Sequence, residues 1–152
     1  MEAIRVLHYG LGAIGSAVAL LTASQRGLEL VGGIDHDPQK IGRDLGDVIG
    51  LGEQLGVAVS GDANEALRHA QPHLIIHATA PRFHDVYPQL LTCLNARANV
   101  ISTCEELVYP FGKEPAAAHE LHRIATQAGV TVVGAGVNPG FVMDLLPLML
   151  TA

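Results

Sequence analysis

The apolar positions of this chain fall into short runs separated by stretches of helical period, and the two alternate from one end to the other. Ile4–Tyr9 is an apolar run closed by Gly10, and Ile14, Val18 and Leu21 recur beyond it at helical spacing. Strand, glycine turn and helix are predicted in that order. Leu28–Ile34 predicts a second buried strand, and Asp37-Pro38 after it predicts a short helix, because Asp caps and Pro is preorganised for a first helical position. Between residues 41 and 56 the glycines at 42, 46, 50, 52 and 56 weaken any helix, so a loop with one or two turns is expected. Residues 57–60 read as a weak third strand, and Asp62 caps a helix through Ala66, Leu67 and His69.

The alternation strengthens afterwards. Residues 74–78 form a strand, 84–96 a helix with core positions Val86, Leu90 and Leu94, and Asn99–Ser102 a further strand. Residues 114–128 carry Ala117, Leu121, Ile124 and Ala128 on one helical face, and 131–134 close a sixth strand. Such alternation predicts an α/β fold, a Rossmann-type doubly wound parallel sheet of about six strands with helices on both faces.

Composition sharpens this reading. The chain has 152 residues, enough for one domain, with 49% apolar, 16% charged and 4% aromatic residues and 17 glycines. That profile excludes a disordered chain and suits buried strands joined by tight turns. Nine Lys and Arg against fifteen Asp and Glu give a formal charge of −6, which argues against a nucleic-acid partner. Any phosphate must then be held by backbone geometry. Cys93 and Cys104 make neither a disulfide framework nor a metal motif, the N-terminus lacks a signal-peptide pattern, and no apolar stretch reaches membrane-spanning length. A cytoplasmic protein without membrane contact is expected.

Gly10-Leu11-Gly12-Ala13-Ile14-Gly15 matches GxGxxG. The pattern alone is weak in so glycine-rich a chain, where a structural turn is the plainer alternative, but its context is informative. It follows the first strand, opens the first helix, and precedes Asp35, twenty positions beyond Gly15 at the end of the second strand. Gly10 permits the turn, Gly12 lets backbone approach a pyrophosphate, and Gly15 lets helix and strand pack closely. Free N–H groups and the helix dipole would bind the phosphates. Asp35 suits the ribose hydroxyls of NAD and repels the 2'-phosphate of NADP, whereas His36, Lys40 and Arg43 could partly neutralise that phosphate. NAD is therefore favoured over NADP. Thr79, Ala80 and Pro81 follow the fourth strand and are candidates to line the nicotinamide path, with Arg82 and His84 as possible phosphate or substrate contacts; strand termination and an exposed helix start explain them equally well.

Three segments are more specific: residues 35–46 (DHDPQKIGRDLG), 101–110 (ISTCEELVYP) and 134–144 (GAGVNPGFVMD). Together they resemble the 2,4-diaminopentanoate dehydrogenase and native amine dehydrogenase family, whose first domain is similar to the N-terminal domain of dihydrodipicolinate reductase. The resemblance covers essentially the whole chain. It implies NAD(P)-dependent oxidative deamination of an amine to a carbonyl compound and ammonia, or the reverse, by hydride transfer at the nicotinamide. It also implies a carboxylate after the fifth strand that handles the amine, at Glu105 or Glu106 here, and a role for Asn138 beside the nicotinamide carboxamide. Adjacent acids on extended chain point oppositely, so one at most should face the cleft, and Glu105 is favoured. Asn138-Pro139-Gly140 would start the last helix, a sharp turn being the alternative.

The resemblance further implies residues 1–138 as a NAD(P)-binding domain, with 139–152 leading into a substrate domain, and a homo-oligomeric full-length enzyme. The apolar segment 141–150 would then need a covering partner, and the chain reads as part of a longer protein. Other residues carry less. His119 and His122 lack a third metal ligand, so no metal site is expected; Cys104 is a candidate to line the cleft without acting as nucleophile; His77 reads as a core or strand-end residue. Two alternatives stay open. One is another two-domain oxidoreductase, such as the glucose-fructose oxidoreductase family, although that family's Glu-Lys-Pro is replaced here by Glu105-Glu106-Leu107. The other is a non-catalytic dinucleotide-binding module.

Overall fold

A computed structural model of the chain describes residues 2–136, 138 and 141–151. Six strands, β1 (Ile4–Tyr9), β2 (Leu28–Ile34), β3 (Val59–Ser60), β4 (Leu74–His77), β5 (Asn99–Ser102) and β6 (Val132–Gly134), form one sheet in the order β3-β2-β1-β4-β5-β6. Every pairing between neighbours is parallel. The connections are α1 (Ala13–Ala23), α2 (Leu45–Ile49), α3 (Ala63–Ala70), α4 (Phe83–Asn95) and α5 (Pro115–Ala128). After β5 the chain makes two 3-10 turns, Glu105–Val108 and Pro110–Gly112, and after β6 a π-helical turn, Phe141–Leu145, leads into α6 (Leu146–Thr151). The chain winds outward from β1 to β3, then returns to the middle to start β4. The loops after β1 and β4 therefore diverge and leave a crevice at the carboxyl edge of the sheet.

Two apolar clusters cover the sheet. One joins Leu7, Ile75 and Val100 to Phe83, Val86, Leu90 and Leu121 of α4 and α5; the other joins Leu11, Ala19, Leu30, Leu45, Ile49 and Val59 around α1 and α2. β2 serves both because it carries one extra residue: Val6 pairs with Leu30 but Leu7 pairs with Gly32, which resets the alternation of its side chains. Gly32 and Gly33 admit the side chains of Leu7 and Leu45, since an added Cβ would lie 2.6 and 2.9 Å from their methyl carbons.

The helix after β1 forms as expected, but its buried face differs. Gly15, Ala19 and Thr22 face the sheet, while Ile14 and Leu21 are 64% and 60% exposed. The reason is steric: a Cβ on Gly15 would stand 1.9 Å from the carbonyl oxygen of Gly10, so only a small-residue face can come this close. Below α1, His8 of β1 is fully buried and its Nε2 lies 3.2 Å from Thr22 Oγ1, while its Nδ1 has no partner among the described residues. Burial lowers the His8 pKa to about 4. In α5 the buried stripe is Ala118, Leu121 and Ala125, one residue off the expected centre, with Ala117, Ile124 and Ala128 half-buried beside it.

Residues 38–43 turn rather than forming the short helix expected after Asp37-Pro38. The N–H groups of Lys40 and Ile41 both bond the Asp37 carbonyl, and Gly42 at φ +80° ends the turn. The glycine-rich stretch beyond is organised by Asp44, whose carboxylate caps α2 at Gly46 and also accepts the N–H groups of Leu55, Gly56 and Val57 at 2.8 to 3.2 Å. These donors, Leu55 foremost, lower its pKa. Tying Val57 to Asp44 leaves β3 only two residues long, shorter than expected. At the other end, Phe141, Met143, Leu148 and Leu150 are exposed. No helix among the described residues is long and apolar enough to cross a membrane.

Candidate functional site

The glycine turn is built from backbone constraints. Gly10 sits at φ +93°, a conformation that disfavours side chains, and a Cβ there would come within 2.4 Å of the Ala78 carbonyl oxygen. Its N–H is bonded to the Ile34 carbonyl, which joins the ends of β1 and β2. Gly12 is the N-cap of α1, and the first intrahelical bond runs from the Ser16 N–H to the Gly12 carbonyl. The N–H groups of Ala13, Ile14 and Gly15 thus precede the helix ladder, as the first donors of any helix do. A Cβ on Gly12 would meet nothing within 4 Å. The open space above Gly12 and the free donors beside it fit a pyrophosphate.

Asp35 anchors the next part of the crevice. It is 5% exposed, and its carboxylate accepts from the Leu11 N–H at 2.8 Å, the Asp37 N–H at 2.9 Å and Lys40 Nζ at 3.2 Å. Burial pushes its pKa up, but the Asp37 and Leu11 donors and the Lys40 ammonium outweigh that and hold the group below its ordinary value. Lys40 Nζ also donates to the Leu11 carbonyl, so it ties the glycine turn to the acidic loop. Leu11 is a core residue whose N–H is engaged with Asp35, whereas Ala13 and Ile14 are exposed at the helix start. His36 is exposed, with Nδ1 3.8 Å from Asp35 Oδ1.

Two hollows meet at Ala78 and Thr79. The first, about 360 Å³, is lined by Gly10, Gly12, Asp35, His36, Asp37, Pro38 and Lys40 together with those two residues. The second, about 370 Å³, adds Ile14, Ala80, Pro81, Thr103, Glu105, Gly136 and Asn138. Together they trace the carboxyl edge from the acidic loop after β2 to the turn after β5. Larger hollows beside Arg68 and Asn95 and along β3 lie outside this crevice.

The structure separates the two adjacent acids. They lie in a 3-10 turn, not on extended chain, and only Glu105 lines the crevice. Glu106 turns back: its Oε2 accepts the Phe83 N–H at the start of α4 at 3.0 Å, and its Oε1 is bonded to Lys113. Lys113 first, then the Phe83 N–H, lower the Glu106 pKa. Arg82 is exposed at the N-cap of α4, 3.8 Å from Asp85, and borders neither hollow. Cys104 does not line the cleft as expected. It is fully buried with its thiol donating to the Pro81 carbonyl, because the 3-10 turn rotates Glu105 outward and Cys104 inward; burial raises its pKa. Asn138 borders the hollow, while Pro139 and Gly140 of the expected helix start lie outside the described residues. His119 contacts the Pro115 carbonyl and the Phe111 ring. Among the described residues no three His, Cys, Asp or Glu side chains converge.

Sequence reasoning missed a polar cluster beneath Thr79. His77 is fully buried at the end of β4, with Nδ1 3.0 Å from Ser102 Oγ and Nε2 2.7 Å from Gln89 Oε1. The Thr79 hydroxyl donates to the same Gln89 oxygen at 2.7 Å. The available signal was Gln89 itself, a polar residue between the core positions Val86 and Leu90 and opposite a histidine in a buried strand.

Comparison with known proteins agrees with this geometry. The family described as dihydrodipicolinate reductase, N-terminus, matches residues 4–105. The 2,4-diaminopentanoate dehydrogenase of Acetoanaerobium sticklandii is 31% identical over 99% of this chain and 43% of its own length. The solved amine dehydrogenase from Mycobacterium smegmatis superposes with a TM-score of 0.90 at 38% identity, covering 98% of this chain and 44% of that one. GenD2 from gentamicin A biosynthesis, solved in complex with NAD, shares the fold with a TM-score of 0.67 at 21% identity over 89% of this chain and 35% of its own. The chain thus spans less than half the length of these relatives. With its parallel sheet, its glycine cradle and the match along residues 4–105, the chain belongs to the dihydrodipicolinate reductase N-terminal domain family.

Proposed function

We propose that this chain is the cofactor-holding part of an NAD-preferring dehydrogenase that acts on an amine. The reaction converts the protonated amine, water and oxidised dinucleotide into carbonyl compound, ammonium and reduced dinucleotide with release of one proton, and runs in reverse as reductive amination. The single observation that carries the reading is that Glu105 borders the same crevice as the glycine cradle, Thr79–Pro81 and Asn138, while Glu106 is engaged elsewhere. The names of the similar dehydrogenases support the amine as substrate class.

Bound NAD would supply the hydride acceptor. The chain's own residues would do the rest. The N–H groups of Ala13, Ile14 and Gly15 would receive the pyrophosphate over Gly12, and Asp35 the adenosine ribose. Lys40 is already bonded to Asp35 and Leu11, so it is poorly placed to meet a 2'-phosphate, which favours NAD over NADP. Thr79, Ala80, Pro81 and Asn138 would border the nicotinamide. The Glu105 carboxylate, open to the crevice, would take a proton from the substrate ammonium, freeing the nitrogen lone pair, and return it on the reverse path. A cytoplasmic location and self-association of the longer enzyme belong to the same reading.

Calorimetric titration of the chain with NADH and NADPH tests it. Binding of NADH in preference to NADPH is expected. Failure of both dinucleotides to bind would remove the cofactor assignment, and amine-dependent NADH formation by the longer enzyme that survives Glu105→Gln would remove the role of Glu105.

A further inference from the structure

Beneath the crevice the structure spends buried polar groups where apolar ones would pack. His77 is fully buried, yet both its nitrogens are engaged. Gln89 Oε1 can only accept, so His77 Nε2 carries the proton and donates to it. Nδ1 is then an acceptor and takes the Ser102 hydroxyl proton. Ser102 Oγ in turn accepts the Cys104 N–H at 3.1 Å. On the other side the Thr79 hydroxyl donates to Gln89 and lies 3.2 Å from His77 Nε2. The result is one directed chain from the loop after β5 to the loop after β4, Cys104 to Ser102 to His77 to Gln89, with Thr79 joining at Gln89. The Tyr9 ring closes it from β1, edge-on to the imidazole at 5.3 Å.

Its two ends are functional walls. Thr79 borders both hollows, and Cys104 immediately precedes Glu105. The same two loops are laced again by the Cys104 thiol and the Glu106 N–H, which both bond the Pro81 carbonyl. A buried polar group costs stability unless its partners are in place, so a fully engaged set permits one arrangement and penalises others.

We propose that His77 is a positioning residue that, through Gln89 and Ser102, fixes the Thr79 wall of the dinucleotide crevice against the Glu105 wall. The inference rests on the cofactor reading above. It assigns His77 no contact with cofactor or substrate; it acts through Thr79 and through the Cys104 amide.

The test uses the whole chain with His77→Leu, Thr79→Val and the double variant. Two readouts are independent: amide hydrogen exchange at Cys104 without any ligand, and NADH affinity by fluorescence titration. In His77→Leu the Cys104 amide should exchange at least about tenfold faster, because its acceptor Ser102 loses its orienting partner. NADH affinity should weaken by about tenfold, the equivalent of one lost hydrogen bond. Thr79→Val should weaken it similarly, and the double variant no further than either single, as expected for residues acting in one chain. Unchanged Cys104 exchange, or losses that multiply in the double variant, would overturn the proposal. If the parent chain does not bind NADH, the cofactor reading falls, and Cys104 exchange alone decides the fate of the relay. Should His77→Leu not fold, Gln89→Leu cuts the same chain at a half-buried position, and the same outcomes apply.

Discussion

Gly12 and Gly15 stand three residues apart in one motif, yet the structure predicts opposite consequences for replacing them. Gly12 has φ −67° and ψ −169°, which any residue adopts, and nothing lies within 4 Å of its virtual Cβ. It caps α1 without a side-chain hydrogen bond. A serine there could accept from the N–H of Ile14 or Gly15, a better cap than glycine by a few tenths of a kcal/mol, and would restrict the unfolded chain by a further ~0.5 kcal/mol. Gly12→Ser should therefore raise the melting temperature of the chain by about 2 °C. The same hydroxyl would take the donors that the proposed function assigns to a pyrophosphate and occupy the space above them. Hydrogen bonds to charged groups are worth ~1.5–3 kcal/mol, so NADH affinity should fall by at least about tenfold. Gly15→Ala behaves differently, because its Cβ would lie 1.9 Å from the backbone oxygen of Gly10. Separating helix from strand by the needed distance should cost on the order of 3 kcal/mol. Circular-dichroism melts and NADH fluorescence titration read both quantities. A Gly12→Ser variant that is less stable than the parent and binds NADH as tightly would refute the assignment of these donors to a phosphate.

Three further predictions follow from the buried and ionised groups. The unfolded chain protonates His8 at its ordinary value of 6.5 whereas the folded chain resists until about 4, so stability is lost as pH falls through that window, by roughly 3 kcal/mol; urea midpoints at pH 7.5 and 4.5 should show this loss, and a His8→Leu variant with the parent's pH slope would disprove it. Asp35→Ala should narrow the NADH preference over NADPH and also loosen the turn, because the Leu11 and Asp37 N–H groups and Lys40 lose their acceptor; an unaltered NADH to NADPH affinity ratio would count against Asp35 as discriminator. Glu106→Gln should lower the melting temperature while sparing NADH binding, since it weakens the Lys113 pair at the α4 cap, and Glu105→Gln should change neither quantity while abolishing amine-dependent turnover of the longer enzyme; the reverse pattern would exchange their roles.

Local signals made the strand and cap positions readable. β1, β2 and β5 coincide with their apolar runs, and Asp62 caps α3 by accepting the Glu65 N–H. Apolar periodicity fails at α1 because it ranks residues by hydrophobicity, whereas the sheet selects Gly15, Ala19 and Thr22 by size. Ile14 and Leu21 are left outside, and Ile14 borders the crevice. The glycine cradle and Asp35 were legible because their spacing is set by one strand, one turn and one helix. Long-range bonds were not. Asp44 gathering amides 11 to 13 residues away, and Lys40 joining Leu11 from 29 residues away, leave no periodic trace.

The two acids after β5 show where local reasoning ends. The family resemblance implied a working carboxylate there and extended geometry assigned the pair to opposite sides, yet the backbone is a 3-10 turn. What distinguishes Glu105 from Glu106 is not its own neighbours in sequence but the Phe83 N–H that opens α4, 23 residues from Glu106 and without an acceptor inside its own helix, together with Lys113. A helix start must find an acceptor, Arg82 at its N-cap offers no capping side-chain bond, and Glu106 meets that demand. The acid left facing the crevice is therefore fixed by the needs of a neighbouring helix. An N-cap side chain reaches the second or third helical N–H rather than the first, so Arg82→Asp should cap His84 or Asp85, leave Glu106 on the Phe83 N–H and Glu105 unmoved, and keep NADH affinity unchanged. If instead NADH binding collapses in that variant, Arg82 itself belongs to the cofactor site, as its position after Pro81 allowed.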